Sequence, residues 1–198
     1  MVIQSLIRAH EDYGAPYPIY FYCSRNQAEK ERSEPQQIVR SILRQASDLP
    51  GGPPLHSALR DRHEQRRRAG DIDMNEATRL VCQTIADRPI TYIMVDALDE
   101  CNQDLPDLVA SLKGVLQQSS SLVKIFVTSR EYPDIQDLLN QYPDLCIDAS
   151  QNQADIELYV KVEVESAISK KKLLPREKVT EDLRQSIGTC LREGAMGM

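Results

Sequence analysis

The sequence predicts an α/β fold, in which helices flank a parallel sheet and a helical segment follows it. Three short apolar runs, at 19–23, 90–95 and 122–127, have the continuous hydrophobicity of strands that are buried on both faces. Segments with apolar residues at helical spacing lie between these runs. Such alternation is typical of parallel sheets, because a helical crossover returns the chain to the same edge of the sheet.

The N-terminal part of the chain predicts two helices and one strand. Apolar residues at helical spacing in 2–10 favour a helix, and Gly14 and Pro16 separate it from the strand at 19–23. Ser33-Glu-Pro-Gln36 is typical of a helix start. The apolar positions of the helix that follows are Ile38, Val39, Ile42, Leu43 and Ala46.

The middle of the chain continues this alternation. Prolines and glycines at 49–54 predict a surface turn, and the charged residues 55–69 are a candidate helix. Asp73 can cap the next helix by accepting a hydrogen bond from its first turn. The elements expected from there on are a helix over 77–85, the strand 90–95, a helix over 105–118, the strand 122–127, a short helix over 134–140 and a weak strand at 145–147.

Residues 156–168 fit two patterns. Apolar residues alternate strictly from Ile156 to Val164, as in a half-buried strand, but the segment also fits helical spacing through Ile168. Because the apolar positions persist for longer than a typical strand, we expect a helix. We therefore divide the chain into a core over 1–150 and a helical segment over 151–198, which ends in a helix over 176–192.

Composition and charge restrict the class of protein. The net charge is −6 and the pI is about 5.2, so the overall field repels nucleic-acid phosphates. The arginine-rich stretch 60–68 also contains acids and is interpreted as a solvated helical face or loop. No apolar segment approaches the roughly 20 residues that span a bilayer, and no secretory leader is recognisable. We expect a cytoplasmic protein with no nucleic-acid and no membrane partner.

The cysteines predict neither a disulfide framework nor a zinc site. They number five, are widely spaced, and include no Cys-x-x-Cys pair or neighbouring histidine at metal-ligand spacing. We interpret them as reduced thiols, with Cys23, Cys82 and Cys146 as small core residues.

Two strand ends carry the polar residues that point to chemistry. The strand 90–95 is followed by Asp96-Ala-Leu-Asp-Glu100, and the strand 122–127 is followed by Thr128-Ser-Arg130. In parallel sheets the ligand crevice lies beyond the carboxyl ends of the strands, so we expect these residues at one site. Carboxylates in that position are suited to holding Mg²⁺ and activating water.

The order and spacing of these strand ends resemble the Walker B and sensor 1 elements of STAND-type P-loop NTPases. The resemblance is to the NACHT group and its relative, the nephrocystin-3-like N-terminal domain of fungal signalling proteins, and it covers essentially the whole chain. The motifs that carry it are Tyr20-Phe-Tyr-Cys23, Asp96-Ala-Leu-Asp-Glu-Cys101, Thr128-Ser-Arg-Glu-Tyr-Pro-Asp134, Asp155-Ile-Glu-Leu-Tyr-Val160 and Gly194-Ala-Met-Gly-Met198.

The resemblance implies a role for each strand-end residue. Asp96 would orient Mg²⁺, the pair Asp99 and Glu100 would polarise the attacking water, and Arg130 would read the γ-phosphate of ATP or GTP. It also implies a strand order of 5-1-4-3-2, in which this chain carries strands 2 to 5.

Each assignment has a structural alternative. The acids of 96–100 are also favoured at a strand end and before a helix N-terminus. The sensor arginine could instead form a surface ion pair with Glu131 or Asp134. Thr128 and Ser129 either hydrogen-bond in the site or cap the turn.

The phosphate loop of the family is missing from this sequence. No Gly-x-x-x-x-Gly-Lys-Ser/Thr occurs in the 198 residues, and none of the eight glycines is followed by lysine. In the family this loop grips the β- and γ-phosphates, and with the first strand it precedes the helix that here begins at the N-terminus. We therefore interpret both ends of the sequence as truncated, and we expect the chain alone to bind nucleotide weakly.

The function that the resemblance implies is a nucleotide-dependent signalling switch. ATP or GTP with Mg²⁺ would favour a self-associating state, and slow hydrolysis would reset it. The expected partners are further copies of the chain or other STAND proteins. The alternatives are a protein that serves only in interaction or oligomerisation, and a truncated gene model.

Overall fold

The chain forms two compact units, Met1–Gln141 and Tyr142–Met198. The division into a core over 1–150 and a helical segment over 151–198 stays a prediction, because residues 147–152 are outside the described ranges. The computed structural model describes residues 2–48, 57–69, 71–101, 104–146, 153–170, 172 and 180–195.

The first unit alternates helices with strands, and the prediction of an α/β fold is confirmed. The turn expected at 49–54 lies outside the described residues. The elements in chain order are α1 Val2–Tyr13, β1 Ile19–Tyr22, a 3-10 helix Gln27–Arg32, α2 Pro35–Ser47, α3 Ser57–Ala69, α4 Met74–Ile85, β2 Ile90–Asp96, a second 3-10 helix Leu98–Glu100, α5 Leu105–Gln118, β3 Leu122–Val127 and α6 Pro133–Leu139.

The strands form a parallel sheet in the order β1-β2-β3. Ile93 of β2 lies beside Ile19 of β1 and Ile125 of β3, so β2 is the central strand. β1, β2 and β3 correspond to strands 2, 3 and 4 of the order that the resemblance implies, and they have the neighbours that this order gives them. Because the strands are parallel, their carboxyl ends meet at one edge of the sheet.

Helices α2, α4 and α5 enclose the core of the first unit. α4 contacts both other helices, α2 contacts β1, and α5 contacts β3. Asp73 caps α4 as predicted, since its Oδ1 accepts a hydrogen bond from the Glu76 amide at 2.7 Å. The largest fully buried side chains are Ile19, Ile38, Ile42, Leu80, Ile85, Ile93, Leu98 and Leu108.

β3 is an edge strand of the described sheet. Its side chains alternate, because successive residues of a strand point to opposite faces. Val123, Ile125 and Val127 pack against the core, whereas Leu122 is 56% exposed and Phe126 is 45% exposed. No strand pairs with the outer edge of β3 within the described ranges. Among the residues that the structure describes, the sheet therefore has an open, partly apolar edge.

The weak strand expected at 145–147 is not formed by the residues that are described. Leu145 is 81% exposed, Cys146 is exposed, and neither belongs to a strand; Ile147 lies outside the described residues. The expectation that Cys146 is a core residue is therefore wrong, while Cys23 and Cys82 are buried as predicted. An apolar run this short is stable as a strand only beside a neighbour that satisfies its backbone groups.

One arginine of the basic stretch on α3 is not on a solvated face. Arg62 is 7% exposed, and its Nε and Nη2 donate to the two carboxylate oxygens of Glu76 on α4 at 2.6 and 3.0 Å. A buried guanidinium needs such a paired carboxylate. Arg62 therefore joins α3 to α4, which corrects the interpretation of this residue as a solvated charge.

The second unit contains α7 Gln153–Ser169 and α8 Glu181–Ala195, which contact each other. The helix expected over 156–168 is confirmed. The strict alternation in the sequence comes from two helical stripes, since Val164 and Ile168 are buried while Leu158 and Val162 are exposed. None of the helices in the described ranges, α7 included, combines the length and hydrophobicity that crossing a bilayer requires.

Candidate functional site

The candidate site lies at the edge of the sheet where the strands end. Asp96 is the last residue of β2, and the 3-10 helix Leu98–Glu100 begins two residues later. Thr128 follows β3, and Cys23 follows β1. The two strand ends singled out in the sequence are therefore adjacent, because β2 and β3 pair along their length.

Ala97 makes the turn between β2 and the 3-10 helix. Its backbone is left-handed, with φ 56° and ψ 50°, a conformation that costs a residue other than glycine about 1–2 kcal/mol. Two hydrogen bonds to Thr128 hold this turn. The Ala97 amide donates to Thr128 Oγ1 at 2.9 Å, and the Leu98 amide donates to the Thr128 carbonyl at 2.8 Å.

Thr128 also orients the carboxylate of Asp96. Its hydroxyl donates to Asp96 Oδ1, and its amide donates to the Val95 carbonyl at 3.0 Å. Thr128 thus accepts from Ala97 and donates to Asp96 through the same oxygen atom. The residue joins the ends of β2 and β3 and fixes the direction of the Asp96 side chain.

The buried carboxylate of Asp99 forms an ion pair with the exposed guanidinium of Arg130. The Arg130 amide donates to Asp99 Oδ1 at 3.1 Å, while Nε and Nη2 lie 2.7 Å from Oδ2. The Asp99 side chain is 3% exposed and that of Arg130 is 64% exposed. Burial on its own raises the pKa of Asp99, but the hydrogen bonds from the Arg130 amide and guanidinium outweigh it and lower that pKa.

This pair gives Asp99 a different environment from the one expected of a water-polarising acid. Both of its carboxylate oxygens accept hydrogen bonds from Arg130, so the geometry suits a residue that positions Arg130. The ion pair is with Asp99, not with Glu131 or Asp134 as the structural alternative supposed. The catalytic role of Asp99 stays a prediction.

Glu100 is half-buried and faces the loop after β1. Its Oε2 accepts a hydrogen bond from the Arg25 amide at 3.0 Å, and the Arg25 guanidinium donates to the Asp99 carbonyl. Arg25 is not among the site residues predicted from the sequence, although it lies just after a buried strand, as those residues do. Arg25 fixes the position of the acidic turn from the β1 side.

Ser129 takes no part in this network within the described contacts. Its hydroxyl donates to the Arg130 carbonyl at 2.6 Å, and the residue is exposed. This hydrogen bond agrees with the alternative in which Ser129 caps the turn. Thr128, in contrast, hydrogen-bonds to the carboxylate of Asp96.

Two buried cysteines lie beside the carboxylates. The Cys23 amide donates to the Asp96 carbonyl at 2.9 Å, and the Cys101 thiol donates to the Ser33 carbonyl at 3.3 Å. Burial, followed by the nearby Cys101 and Asp96, raises the pKa of Cys23 to about 12. Burial thus disfavours the thiolate, which is the nucleophilic form of cysteine.

The donor set at this edge fits Mg²⁺ only as a partial ligand shell. Among the described residues, no group of three or more His, Cys, Asp or Glu side chains could hold a metal ion. Mg²⁺ in phosphate-binding proteins commonly takes one or two carboxylates, with water and phosphate oxygens as its other ligands. Asp96 fits the role of a single carboxylate ligand of this kind.

Comparison with known families places these residues in context. Residues 1–130 match the family model described as Nephrocystin 3, N-terminal. The chain belongs to this family. The match runs from α1 to Arg130 and so contains all of the strand-end residues described above.

A curated relative and the solved structures add to this comparison. The chain is 44% identical over 50 residues to the vegetative incompatibility protein HET-E-1 of Podospora anserina. The aligned segment covers 25% of this chain and 4% of that protein. No solved structure matches the chain.

We predict that Asp99→Asn destabilises the protein and changes its response to acid. Because the folded-state pKa of Asp99 is lowered, the pair stabilises the fold above the unfolded value of about 3.9, and this contribution is lost as pH falls through the folded pKa. Asp99→Asn should lower the free energy of unfolding by about 1–2 kcal/mol at neutral pH. In this variant the free energy of unfolding should also fall less steeply as the pH is lowered. Urea unfolding across that pH range measures both.

Asp137→Asn, which removes an exposed carboxylate on α6, is the control. If the parent and Asp99→Asn lose stability in parallel as the pH falls, the Asp99 and Arg130 side chains are not paired in solution.

Proposed function

We propose that the chain supplies the metal-facing and γ-phosphate-facing part of a nucleotide-dependent signalling switch. The observation that carries this proposal is the meeting of Asp96, Thr128, Glu100 and Arg130 at the carboxyl edge of one parallel sheet. Ligands of open α/β sheets bind at that edge. Membership of the nephrocystin 3 N-terminal family supports the proposal.

Asp96 would contribute a carboxylate ligand to Mg²⁺ in this reading. The ion, when bound, offsets the negative charge of the nucleotide phosphates. Thr128 keeps Asp96 in a fixed direction through its hydroxyl, so the carboxylate is oriented before any ligand arrives. Such preorganisation reduces the free energy needed to order the site on binding.

Glu100 is the better placed of the two acids to accept a proton from water. It is half-buried, and the described contact to its carboxylate comes from a backbone amide, that of Arg25. A carboxylate held by one amide keeps lone pairs for a second partner. Asp99 instead holds Arg130, whose exposed guanidinium can hydrogen-bond to phosphate oxygens.

The Asp99–Arg130 pair gives the switch an element that can respond to nucleotide. A γ-phosphate would compete with Asp99 for the Arg130 guanidinium, and its loss on hydrolysis would return Arg130 to Asp99. A ligand shifts a conformational equilibrium only through its different affinity for the two states. The reaction we assign is hydrolysis of ATP or GTP in the cytoplasm, with other copies of the chain or other STAND proteins as partners.

We predict the effect of two substitutions when a family phosphate loop with its strand is fused upstream of residue 1. Glu100→Gln should retain nucleotide binding and lower the rate of hydrolysis by roughly a hundredfold. The glutamine side chain has the shape of glutamate, but its amide cannot accept a proton from water. Asp96→Asn should weaken Mg²⁺-dependent binding by roughly tenfold. Calorimetric titration and phosphate release measure these effects.

Two controls accompany this experiment. Glu31→Gln changes an exposed glutamate of the first 3-10 helix and should behave as the fused parent. The unfused chain should bind Mg-ATP and Mg-GTP only near the millimolar range, about −4 kcal/mol, because no glycine-rich lysine loop is present in its sequence. Hydrolysis at the parent rate by both site variants would refute the assignment.

The second candidate function is oligomerisation through the open edge of β3. The backbone N–H and C=O groups of the even-numbered residues in β3 point toward β2, as the N–H group of Thr128 does. The backbone groups of Val123, Ile125 and Val127 therefore face away from β2, toward the outer edge. The occupant we assign to this edge is β3 of a second copy, since two identical edges can pair in an antiparallel, twofold arrangement. Leu122 and Phe126 would add apolar contact.

We predict that the chain dimerises through this edge and that Phe126→Glu opposes it. The substitution places like charges in the shared interface, so dimerisation should weaken by roughly tenfold or more. Leu145→Glu, which introduces the same charge at an exposed position outside the sheet, should leave it unchanged. Sedimentation velocity over a range of concentrations measures both; a parent that stays monomeric, or equal behaviour of the two variants, would exclude this interface.

A further inference from the structure

A cavity lies at the opposite end of the sheet from Asp96. It is formed by the end of α1, the loop 14–17 that leads into β1, and residues 88–91 at the start of β2, and its volume is about 200 Å³. The length of β2 separates it from the carboxyl edge by roughly 20 Å. The cavity is therefore distinct from the proposed nucleotide site.

The wall on the α1 side is fixed by short-range contacts. Gly14 ends the helix with a left-handed backbone, φ 67°, and its amide donates to the His10 carbonyl at 2.9 Å. His10 Nδ1 donates to the Ala15 carbonyl at 2.5 Å, and its ring packs edge-on against Tyr17 with centroids 5.3 Å apart. These contacts hold two aromatic rings at the cavity without a ligand.

Arg88 gives the cavity a positive charge that the described residues do not neutralise. The side chain is half-buried, and no carboxylate within the described ranges forms an ion pair with it. Burial lowers the pKa of the Arg88 guanidinium, which indicates that its charge is partly removed from water. A cation removed from water without a counter-ion is unfavourable, and a bound anion would offset this cost.

Thr91, a residue of the same wall, also carries a polar group without a partner among the described residues. It is almost fully buried in β2, and its hydroxyl has no hydrogen-bond partner among the described residues. Buried hydroxyls in folded proteins are nearly always paired. Two residues that line one cavity, Arg88 and Thr91, thus each carry a polar group that no described residue pairs.

We propose that this cavity binds a small molecule that consists of a carboxylate and a compact apolar body. The single guanidinium of Arg88 matches a carboxylate, which it can bind through two parallel hydrogen bonds. A phosphate would bring more negative charge than one cation offsets. Pro16, Pro89 and Ile90 line the remaining surface and suit an apolar group.

The test uses benzoate as the probe and benzamide as its uncharged isostere. With the 198-residue chain, benzoate should shift the NMR resonances of His10, Tyr17 and the Thr91 amide in a saturable manner. Benzamide should bind at least roughly tenfold more weakly, because it cannot form the charged pair. Arg88→Gln should remove this preference for the carboxylate.

Two further variants make the result specific. Arg88→Lys keeps the positive charge but loses the planar guanidinium, which can form two parallel hydrogen bonds with a carboxylate. Its affinity for benzoate should therefore lie between those of the parent and Arg88→Gln. Arg79→Gln removes an exposed arginine of α4 and should bind benzoate as the parent does. All variants should keep the dispersed amide spectrum of the parent, which shows that the fold is intact.

Three results would overturn the proposal. Benzoate could leave the resonances of the cavity wall unchanged, or it could bind equally to the parent and Arg88→Gln. A tripeptide with a free C-terminal carboxylate could bind more tightly than benzoate, which would assign the cavity to a chain terminus instead of a small molecule.

Discussion

Thr128 is the residue on which the geometry of the candidate site depends. Its amide, carbonyl and hydroxyl bond to Val95, Leu98, Ala97 and Asp96, so the end of β3 holds the whole turn that follows β2. The strained backbone of Ala97 persists because these bonds surround it. Together with the bonds from Arg130 to Asp99, they fix the acids of the turn relative to β3.

The strand ends are where the sequence is most informative about function. Continuous apolar runs identify β2 and β3, and acids or hydroxyls that follow such runs must lie at the carboxyl edge of a parallel sheet. The sequence does not reveal which contacts each acid makes. The left-handed turn at Ala97 directs Asp99 inward and leaves Glu100 half-exposed, and this depends on a contact with residue 128 that no local pattern encodes.

Other departures from the sequence predictions have the same long-range origin. Arg62 lies in a charged stretch but is buried, because Glu76 of another helix pairs with it. Cys146 lies in an apolar run but is exposed, and no described strand pairs with that run. In α7, by contrast, the helix could be predicted, because an apolar pattern that persists beyond the length of a strand has few alternatives. Local periodicity thus predicts the elements, while partners distant in sequence decide burial.

The central claim is that Thr128 joins the two strand ends, and hydrogen exchange at the Ala97 amide tests it most directly. That amide donates to the Thr128 hydroxyl, so it should be protected in the parent and in Thr128→Ser, which keeps the hydroxyl. Thr128→Val keeps the shape but loses the acceptor, and exchange at Ala97 should accelerate by roughly tenfold or more. An Ala97 amide that exchanges equally fast in all three proteins would contradict the account.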